Sequence, residues 1–290
     1  MGARTDSMAA KVVEAGGYTL HVRCVAGIES CCYVDSVDVA FDLGCLAGRV
    51  ASKSHVFITH GHADHVGAVV AHAARRALQK QKPAQYFVPA HLVPHLESIL
   101  QSTAAMQGDE PFPAEIVPLQ AFDEVHVSAR HLVRAVPTKH RVPSLGYILY
   151  EKKNHLKPEY RQLPGADIAA LKRAGHEVTS AELTPEIAYT GDTTIEAFTA
   201  AAEDERAKDL LRVKVLVTEA TYADSKMTVQ DAVDRGHMHL DQLATHARLF
   251  QQVGTLVLVH FSARYSAEEL AECVRTRLPP TLQQKTVLGC

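Results

Sequence analysis

One short run of residues concentrates most of the chemistry that this sequence offers. Three histidines and one aspartate lie within six positions of the segment Thr59–His65, in the order H-x-H-x-D-H. Imidazole and carboxylate groups are ligands of zinc and related divalent ions, and surface histidines at a helix start rarely explain so dense a cluster. We therefore predict a centre of two metal ions with a position left open for water. Its first four ligands are His60, His62, Asp64 and His65.

The elements on either side of this run are those of an α/β protein. The apolar stretch Val56–Ile58 predicts a strand that leads into Thr59, and the pattern of Val66–Lys80 predicts a helix after the run. Loops at the carboxyl ends of strands often carry ligand-binding groups in α/β folds, because the sheet fixes their position. Strands and helices are predicted along most of the remaining chain. The polar segment 151–184 is the exception, since only Ala166–Ala174 within it has a helical pattern.

The length and composition fit one large α/β domain. The chain has 290 residues, of which 47% are hydrophobic and 22% charged, so it can bury a sizeable core. We interpret residues 1–290 as a single domain and residues 151–184 as an insertion within it. The formal net charge is −3, so the global charge does not by itself indicate a nucleic-acid-binding protein.

Three further metal ligands are predicted at the ends of other apolar strands. His140, Asp192 and His260 each follow such a run. Taken alone, a histidine at a strand end is usually a satisfied polar residue, and a Gly-Asp pair is usually a turn. Together these residues supply what two metal ions still lack, namely one histidine for each ion and one carboxylate to bridge them.

Five blocks of sequence, in order along the chain, resemble one enzyme family. The blocks are FDLG at 41–44, HGHADH at 60–65, KHRVPSLGY at 139–147, TGDT at 190–193 with EATYAD at 219–224, and RGHMHL at 235–240 with HFSARY at 260–265. The second block matches the HxHxDH signature of the metallo-β-lactamase superfamily, which fixes the fold but not the substrate. The others are similar to ribonuclease Z (tRNase Z), the endonuclease that trims the 3′ trailer from precursor tRNA, in the short form known from plants. The resemblance implies an α/β protein of the metallo-β-lactamase fold, a four-layer αββα sandwich with a short inserted arm.

The resemblance also implies a role for each residue of the site. One zinc ion would be held by His60, His62 and His140, the other by Asp64, His65 and His260, with Asp192 as the bridge. The same ligands would accept Mn²⁺ or Fe²⁺. Hydroxide would attack the phosphodiester and leave a 3′-hydroxyl on the tRNA, with Asp64 handling its proton. His237 would protonate the oxygen that leaves the phosphorus, and Glu219 would orient His237.

Contacts to the RNA are predicted in two places. Ser262 and Arg264 follow His260 closely and could donate to a phosphate, although a salt bridge within the fold is an equal alternative for Arg264. Segment 151–184 corresponds to the arm with which the family binds tRNA, and its basic side chains would contact the phosphate backbone. The arm residues predicted to do so are Lys152, Lys153, Lys157 and Arg161. An ordinary polar loop is the alternative for this segment.

Precursor tRNA and a second copy of the chain are the expected partners, since the family suggests a homodimer in which one subunit's arm serves the other's active site. No stretch reaches the roughly 18 apolar residues of a membrane span. Met1–Ala10 lacks the apolar core of a signal peptide, and the six cysteines form no CxxC pair. We expect a protein of the cytoplasm or the nucleus, without a secretion signal.

Two other functions remain open from the sequence. A phosphodiesterase of small or cyclic nucleotides, or a thioesterase, would use the same metal centre. A catalytically silent RNA-binding member of the fold would need neither the seven ligands nor His237. The pair of His237 and Glu219, together with the basic arm, favours the tRNA endonuclease over both.

Overall fold

Two seven-stranded β-sheets face each other in the computed structural model of this chain, which describes residues 9–108 and 110–289. Residues 1–8, where the sequence predicts no signal peptide, lie outside the described residues. In each sheet the strands stand side by side in the order in which they occur along the chain. Each half of the chain therefore builds one sheet.

The first sheet changes from antiparallel to parallel pairing at its fourth strand. Its strands are β1 (Lys11–Ala15), β2 (Tyr18–Val25), β3 (Glu29–Val34), β4 (Val39–Phe41), β5 (His55–Phe57), β6 (Ala84–Pro89) and β7 (Ala114–Leu119). The pairs from β1 to β4 are antiparallel, and those from β4 to β7 are parallel. Antiparallel neighbours can be joined by tight turns, whereas parallel neighbours need longer crossovers.

The second sheet repeats this arrangement. Its strands are β8 (Glu124–His126), β9 (His131–Pro137), β10 (Leu145–Leu156), β11 (Thr179–Tyr189), β12 (Val215–Glu219), β13 (Thr255–Val259) and β14 (Thr286–Leu288). The pairs from β8 to β11 are antiparallel, and those from β11 to β14 are parallel. In topology, β11 of the second sheet therefore corresponds to β4 of the first.

Helices supply most of the crossovers between parallel strands, and one helix lies between β10 and β11. In the described residues they are α1 (Ala63–Val66), α2 (Val69–Leu78), α3 (Val93–Gln107), α4 (Gly165–Arg173), α5 (Glu196–Glu203), α6 (Val229–Asp234), α7 (Leu240–Thr245), α8 (Ala267–Arg277) and α9 (Pro280–Gln283). Ser266 begins α8 with a reciprocal cap, because its hydroxyl accepts the N–H of Glu269 and its own N–H donates to the Glu269 carboxylate. None of the helices in the described part of the chain is long and apolar enough to cross a membrane.

Side chains alternate along the strands between separate apolar layers. In β13, Val257 and Val259 face the space between the sheets, whereas Leu258 faces the helices. In β5, Phe57 lies between the sheets and Val56 lies under the helices of the first half. Successive side chains of a strand point to opposite faces, so strands apolar on both faces must be covered on both. The result is four layers, helix, sheet, sheet and helix, which confirms the αββα prediction.

The helix predicted over Val66–Lys80 forms as α2, from Val69 to Leu78, and so begins three residues later than predicted. A separate short helix, α1, ends at Val66, so there is a break between the two helices. Leu43 occupies the break, since its N–H donates to the carbonyl of His65 (2.6 Å) and its carbonyl accepts the N–H of Ala68 (2.8 Å). These bonds hold the turn with the predicted ligands against the loop that follows β4.

The inserted segment is more regular than its sequence predicts. β10 continues to Leu156 and β11 begins at Thr179, so segment 151–184 starts and ends within a pair of strands. The pairing extends from Glu151 opposite Thr184 to Leu156 opposite Thr179, and α4 lies at the far end. Few residues of this ribbon are buried, so it lacks the alternating apolar pattern that reveals strands. We call residues 151–184 the arm.

Phe57 tests the packing between the sheets. Its side chain is fully buried, and its ring centroid lies 4.6 Å from that of Phe87 and 5.2 Å from that of Tyr147. We expect Phe57→Ala to lower the free energy of unfolding by about 3–5 kcal/mol, because it removes apolar contacts and leaves a cavity. Denaturant titration measures the change, with Phe57→Leu as the milder control. A loss below about 1 kcal/mol for Phe57→Ala would contradict this packing.

Candidate metal centre

The predicted ligands meet at the ends of strands from both sheets. The loop after β5 carries the run His60–His65, the turn after β11 carries Asp192, and His260 follows β13 directly. His140 comes from the loop between β9 and β10. Parallel strands of one sheet end at the same edge, which explains how residues far apart in sequence converge there. All seven predicted ligands fall into clusters whose donor atoms could hold a metal ion.

The first cluster contains His60, His62, His140 and Asp192, whose ligand atoms all lie within 4.8 Å of one another. Nε2 of His60 is 3.0 Å from Nδ1 of His62, and Nε2 of His140 is 3.3 Å from the same atom. Burial, followed by repulsion from His65, lowers the pKa of His60 well below its usual value. Burial therefore favours the unprotonated form of the His60 ring, which is the form that binds a metal ion.

The second cluster contains Asp64, His65 and His260. Nε2 of His65 is 3.3 Å from Nε2 of His260, and these two nitrogens lie 3.5 Å and 3.3 Å from Oδ2 of Asp64. Burial opposes protonation of His65, but the carboxylates of Asp192 and Asp42 outweigh it and raise the pKa of His65 well above its usual value. This half of the site therefore attracts positive charge.

The carboxylate of Asp192 lies between the two clusters. Its Oδ1 is 3.2 Å from Nε2 of His65, and its Oδ2 is 3.7 Å from Nε2 of His60. Asp192 is 2% exposed, and its Oδ1 has no hydrogen-bond partner in the described residues. A buried carboxylate oxygen without a partner is costly, and a cation compensates that cost. The residues present therefore fit divalent metal ions, with one carboxylate oxygen facing each cluster.

Gly191 lets the turn with Asp192 pack onto the loop of the histidine run. Its φ of +59° is in the left-handed region, and a Cβ there would lie 2.5 Å from Oγ1 of Thr59. A side chain at this position would therefore push the two loops apart, because both the backbone conformation and the contact favour glycine.

A further carboxylate, that of Asp42, orients the histidine run. Asp42 is fully buried directly after β4, with a φ of +54°. Its Oδ2 is 2.7 Å from Nδ1 of His65, and its Oδ1 accepts the N–H of Thr59 (2.7 Å). The hydroxyl of Thr59 lies 3.0 Å from Nδ1 of His60. Bonds of this kind to the second ring nitrogen fix the tautomer and the direction of a metal-ligating histidine.

His237 and Glu219 form a hydrogen-bonded pair beside the clusters. Nδ1 of His237 is 2.9 Å from Oε1 of Glu219 and 3.9 Å from Oδ2 of Asp192. Glu219 is fully buried and also accepts the N–H of Thr193 (2.7 Å) and the hydroxyl of Thr221 (2.6 Å). Burial opposes protonation of His237, but Glu219 outweighs it and raises the pKa of His237 to about 9. The buried carboxylate of Glu219 therefore favours the protonated form of the ring.

Several groups that shape the site escape the sequence prediction. The hydroxyl of Thr221 lies 3.2 Å from Nδ1 of His260, and the carbonyl of Gly236 lies 2.6 Å from Nδ1 of His140. Asp42 had a signal, since it stands in the FDLG block directly after a strand, where carboxylates of α/β sites gather. A backbone carbonyl leaves no trace in the residue types, so the bond at Gly236 could not be predicted.

Both residues predicted to contact a phosphate lie near the site, but Arg264 forms a salt bridge with another residue of the fold. Ser262 is partly exposed, two residues beyond His260. Arg264 donates to Asp224 (3.0 Å), and its guanidinium lies 4.7 Å from the centroid of the Tyr265 ring. This salt bridge is the alternative that the sequence left open for Arg264.

Two of the four basic arm residues predicted to contact RNA form ion pairs within the arm. Lys153 and Lys157 form ion pairs with glutamates of the arm, at 3.2 Å and 3.8 Å. Lys152 and Arg161 form no ion pair with the residues that the structure describes. The arm carries six basic and five acidic side chains, so its net positive charge is small. Contact between the arm and RNA stays a prediction.

Comparison with known proteins identifies the family. The model of the beta-lactamase superfamily domain matches residues 46–261. The chain is 36% identical over 273 residues to tRNase Z TRZ1 of Arabidopsis thaliana, which covers 94% of this chain and 95% of that protein. This chain belongs to the tRNase Z family. The family predicted from the sequence blocks is thereby confirmed.

Solved structures share the tRNase Z fold of this chain at low sequence identity. The metallo-beta-lactamase fold protein YhfI of Bacillus subtilis matches with a TM-score of 0.60 at 13% identity, over 93% of this chain and 94% of that chain. The short form of human tRNase Z matches with a TM-score of 0.53 at 21% identity, over 97% and 92%. At these identities the likeness concerns the fold, and it confirms the predicted fold class.

Replacement of Asp42 tests whether this carboxylate orients the ligands. We expect Asp42→Asn to weaken Zn²⁺ binding about 10–100-fold, because His65 loses the charged partner of its second ring nitrogen. Competition with a coloured chelator measures the affinity, and thermal unfolding verifies the fold. Asp35→Asn, which changes an exposed aspartate of the same half, is the control and should bind like the wild type. Unchanged affinity in Asp42→Asn would refute the orienting role.

Proposed function

We propose that this chain is a metal-dependent endoribonuclease that removes the 3′ trailer from precursor tRNA. Membership of the tRNase Z family supports the substrate. The observation that carries the proposal is the pair of His237 and Glu219 beside two clusters of metal ligands. The 3′-oxygen of a ribose leaves poorly without a proton, whereas the thiolate of a thioester does not need one. A protonated histidine at this place therefore favours cleavage of RNA over that of a thioester.

Two zinc ions are the proposed cofactors. Their proposed ligands are His60, His62 and His140 for one ion, Asp64, His65 and His260 for the other, and Asp192 for both. When bound, the ions would act as Lewis acids toward the phosphate and supply a nucleophile at neutral pH. This set of imidazoles and carboxylates also suits Mn²⁺ or Fe²⁺. The side chain of Asp64 is 11% exposed, against 2% for Asp192, which supports Asp64 as the proposed acceptor of the proton from the attacking water.

His237 is the proposed proton donor to the leaving 3′-oxygen of the tRNA. Its side chain is 15% exposed, so RNA can reach the ring. Nδ1 of the ring is hydrogen-bonded to the fully buried Glu219. Glu219 is in turn fixed by donors from Thr193 and Thr221. The carboxylate therefore keeps the ring protonated before cleavage and oriented during it.

In the proposed organisation, one domain carries the arm as a separate contact for the tRNA body. The arm continues the pairing of β10 and β11, so it is anchored in the second sheet. Lys152 and Arg161 are free of ion pairs with the described residues and suit contact with phosphates. In a homodimer, the arm of one subunit would serve the active site of the other.

Incubation of the zinc-loaded protein with a 3′-extended precursor tRNA tests the proposed function. Cleavage directly after the discriminator base supports it. Turnover of a small or cyclic phosphodiester, without cleavage of the precursor, would overturn it in favour of a small-nucleotide phosphodiesterase. Binding of the precursor without any cleavage would identify a silent RNA-binding member of the fold.

Replacement of His237 separates proton donation from metal binding. We expect His237→Ala to slow cleavage of the precursor about 10²–10⁴-fold while metal content stays unchanged, because the leaving oxygen loses its proton. Hydrolysis of bis(p-nitrophenyl) phosphate should fall much less, since p-nitrophenolate leaves without protonation. His95→Ala, at an exposed histidine of α3, is the control. Equal losses on both substrates would show that His237 is not the proton donor.

Shortening of the arm tests its contact with tRNA. Residues 154–181 can be replaced by the turn Asn-Gly, because Lys153 and Glu182 are opposite each other in the ribbon and a two-residue turn closes such a pair. We expect the KM for precursor tRNA to rise at least about tenfold, since phosphate contacts are lost. Hydrolysis of bis(p-nitrophenyl) phosphate should be unchanged. If both activities fall together, the arm supports the fold rather than the substrate.

A further inference from the structure

The arm leaves the second sheet through an irregularity in the pairing of its two strands. Leu149 of β10 is opposite Ile187, but the next residue of β10, Tyr150, is opposite Pro185. Glu186 is therefore an extra residue of β11 without a counterpart in β10, and the two strands form a β-bulge. A bulge bends the strand that carries it and increases its twist, so this bulge sets the direction in which the arm leaves the sheet.

The side chain of the extra residue is fully buried, which is rare for a glutamate unless it is paired. Oε2 of Glu186 is 2.5 Å from Nζ of Lys214 and accepts the hydroxyl of Tyr18 (3.0 Å). Oε1 accepts the hydroxyl of Thr184 (2.8 Å) and lies 3.9 Å from Nζ of Lys153. Both oxygens therefore have partners, as a buried carboxylate requires.

The partners of this carboxylate come from three parts of the molecule. Thr184 and Lys153 belong to the arm. Tyr18 begins β2 in the first sheet, and Lys214 directly precedes β12 in the second. The turn before β2 packs against the same place, since a Cβ at Gly16 would lie 2.6 Å from a side-chain carbon of the first residue of β12. The carboxylate therefore joins the base of the arm to both sheets.

A buried ion pair contributes more to geometry than to stability. The desolvation of two charges offsets most of their attraction, so apolar side chains of similar size often stabilise a fold as well. Other orientations of the arm would leave the carboxylate buried without its partners, which is costly. Most residues of the arm beyond this point are not buried, so the base is where its direction can be fixed.

We propose that the bulge at Glu186 aims the arm, and that the Glu186 carboxylate holds the arm in the direction in which it meets the body of the precursor tRNA. This inference rests on the proposed function and on the proposed contact between arm and tRNA. Glu186 is a positioning residue that acts through the arm. It stands six residues before Asp192, up to about 20 Å along an extended chain. Its partners named above include none of the proposed metal ligands.

Glu182 provides a matched control in the same strand. Its side chain is 67% exposed, and its Oε2 lies 3.3 Å from Nε2 of His155 on the neighbouring strand of the ribbon. Glu182→Gln removes the same charge as Glu186→Gln but leaves the bulge and its bonds intact. A general effect of charge on RNA binding would be equal in the two variants, whereas an effect on the direction of the arm is confined to Glu186.

Steady-state cleavage of precursor tRNA by the zinc-loaded protein tests the inference. Deletion of Glu186 removes the bulge and leaves the pairs on either side in register, so the ribbon forms but points elsewhere. We expect this deletion to raise the KM at least about tenfold, as shortening of the arm would, because phosphate contacts are lost. Glu186→Gln should raise the KM about 3–10-fold, since the arm must then be ordered on binding. Glu182→Gln should stay within about twofold. In all three variants kcat and the hydrolysis of bis(p-nitrophenyl) phosphate should be unchanged.

Amide hydrogen exchange shows whether the ribbon itself survives the substitution. The N–H of Lys157 donates to the carbonyl of Val178 (3.0 Å) at the end of the ribbon that is far from Glu186. We expect this amide to exchange as slowly in Glu186→Gln as in the wild type, because the ribbon is intact and only its direction is released. Faster exchange together with a raised KM would show that Glu186 supports the ribbon rather than its direction, and would overturn the inference.

Three further results would overturn the role of Glu186: an unchanged KM in both Glu186 variants, an equal rise in Glu182→Gln, and a parallel fall in the hydrolysis of bis(p-nitrophenyl) phosphate. If the deletion variant does not fold, Glu186→Gln decides alone. The wild type and the protein with the shortened arm separate this inference from the proposals on which it rests. If the wild type does not cleave the precursor, the proposed function fails. If it does, and the shortened arm raises the KM while the Glu186 variants do not, only the role of Glu186 fails.

Discussion

A carboxylate buried where two sheets meet needs positive charge around it, and most of the site satisfies that need. Asp192 is 2% exposed, and its Oδ1 finds no hydrogen-bond partner in the described residues. Histidines from three separate loops turn their ring nitrogens toward the same region. Imidazoles alone cannot both stay neutral and compensate a buried anion, whereas divalent ions between them can. The strand order matters because it brings these loops to one edge.

Equivalent positions in the two sheets carry aspartates with different roles. Asp42 follows β4 and Asp192 follows β11, the strands at which each sheet changes from antiparallel to parallel pairing. The carboxylate of Asp42 accepts the N–H of Thr59 and is hydrogen-bonded to Nδ1 of His65, so both of its oxygens are occupied by the protein itself. Asp192 instead lies 3.2 Å from Nε2 of His65 and 3.7 Å from Nε2 of His60, and its Oδ1 accepts no hydrogen bond from the described residues. What stands opposite each carboxylate therefore decides whether it orients a ligand or serves as one.

The proposed ligands could be singled out in the sequence because each of them leaves a local signal. A dense run of histidines, or a single histidine or aspartate at the end of an apolar strand, is visible in the residue types, and the two sheets do bring these positions together. The break between α1 and α2 was not predictable, because it depends on Leu43, which lies far away in the chain. The strands of the arm were not predicted for another reason. They extend beyond the core, and without a buried face they show no apolar alternation.

The return of metal to the metal-free protein tests the central claim most directly. Cleavage of a 3′-extended precursor tRNA is measured while Zn²⁺ is added in known ratios to the chain, and bound metal is determined in the same samples. The proposed two-metal centre requires that cleavage is absent without metal and reaches its plateau at two bound ions per chain. Full cleavage by the metal-free protein, or a plateau at one bound ion, would contradict it.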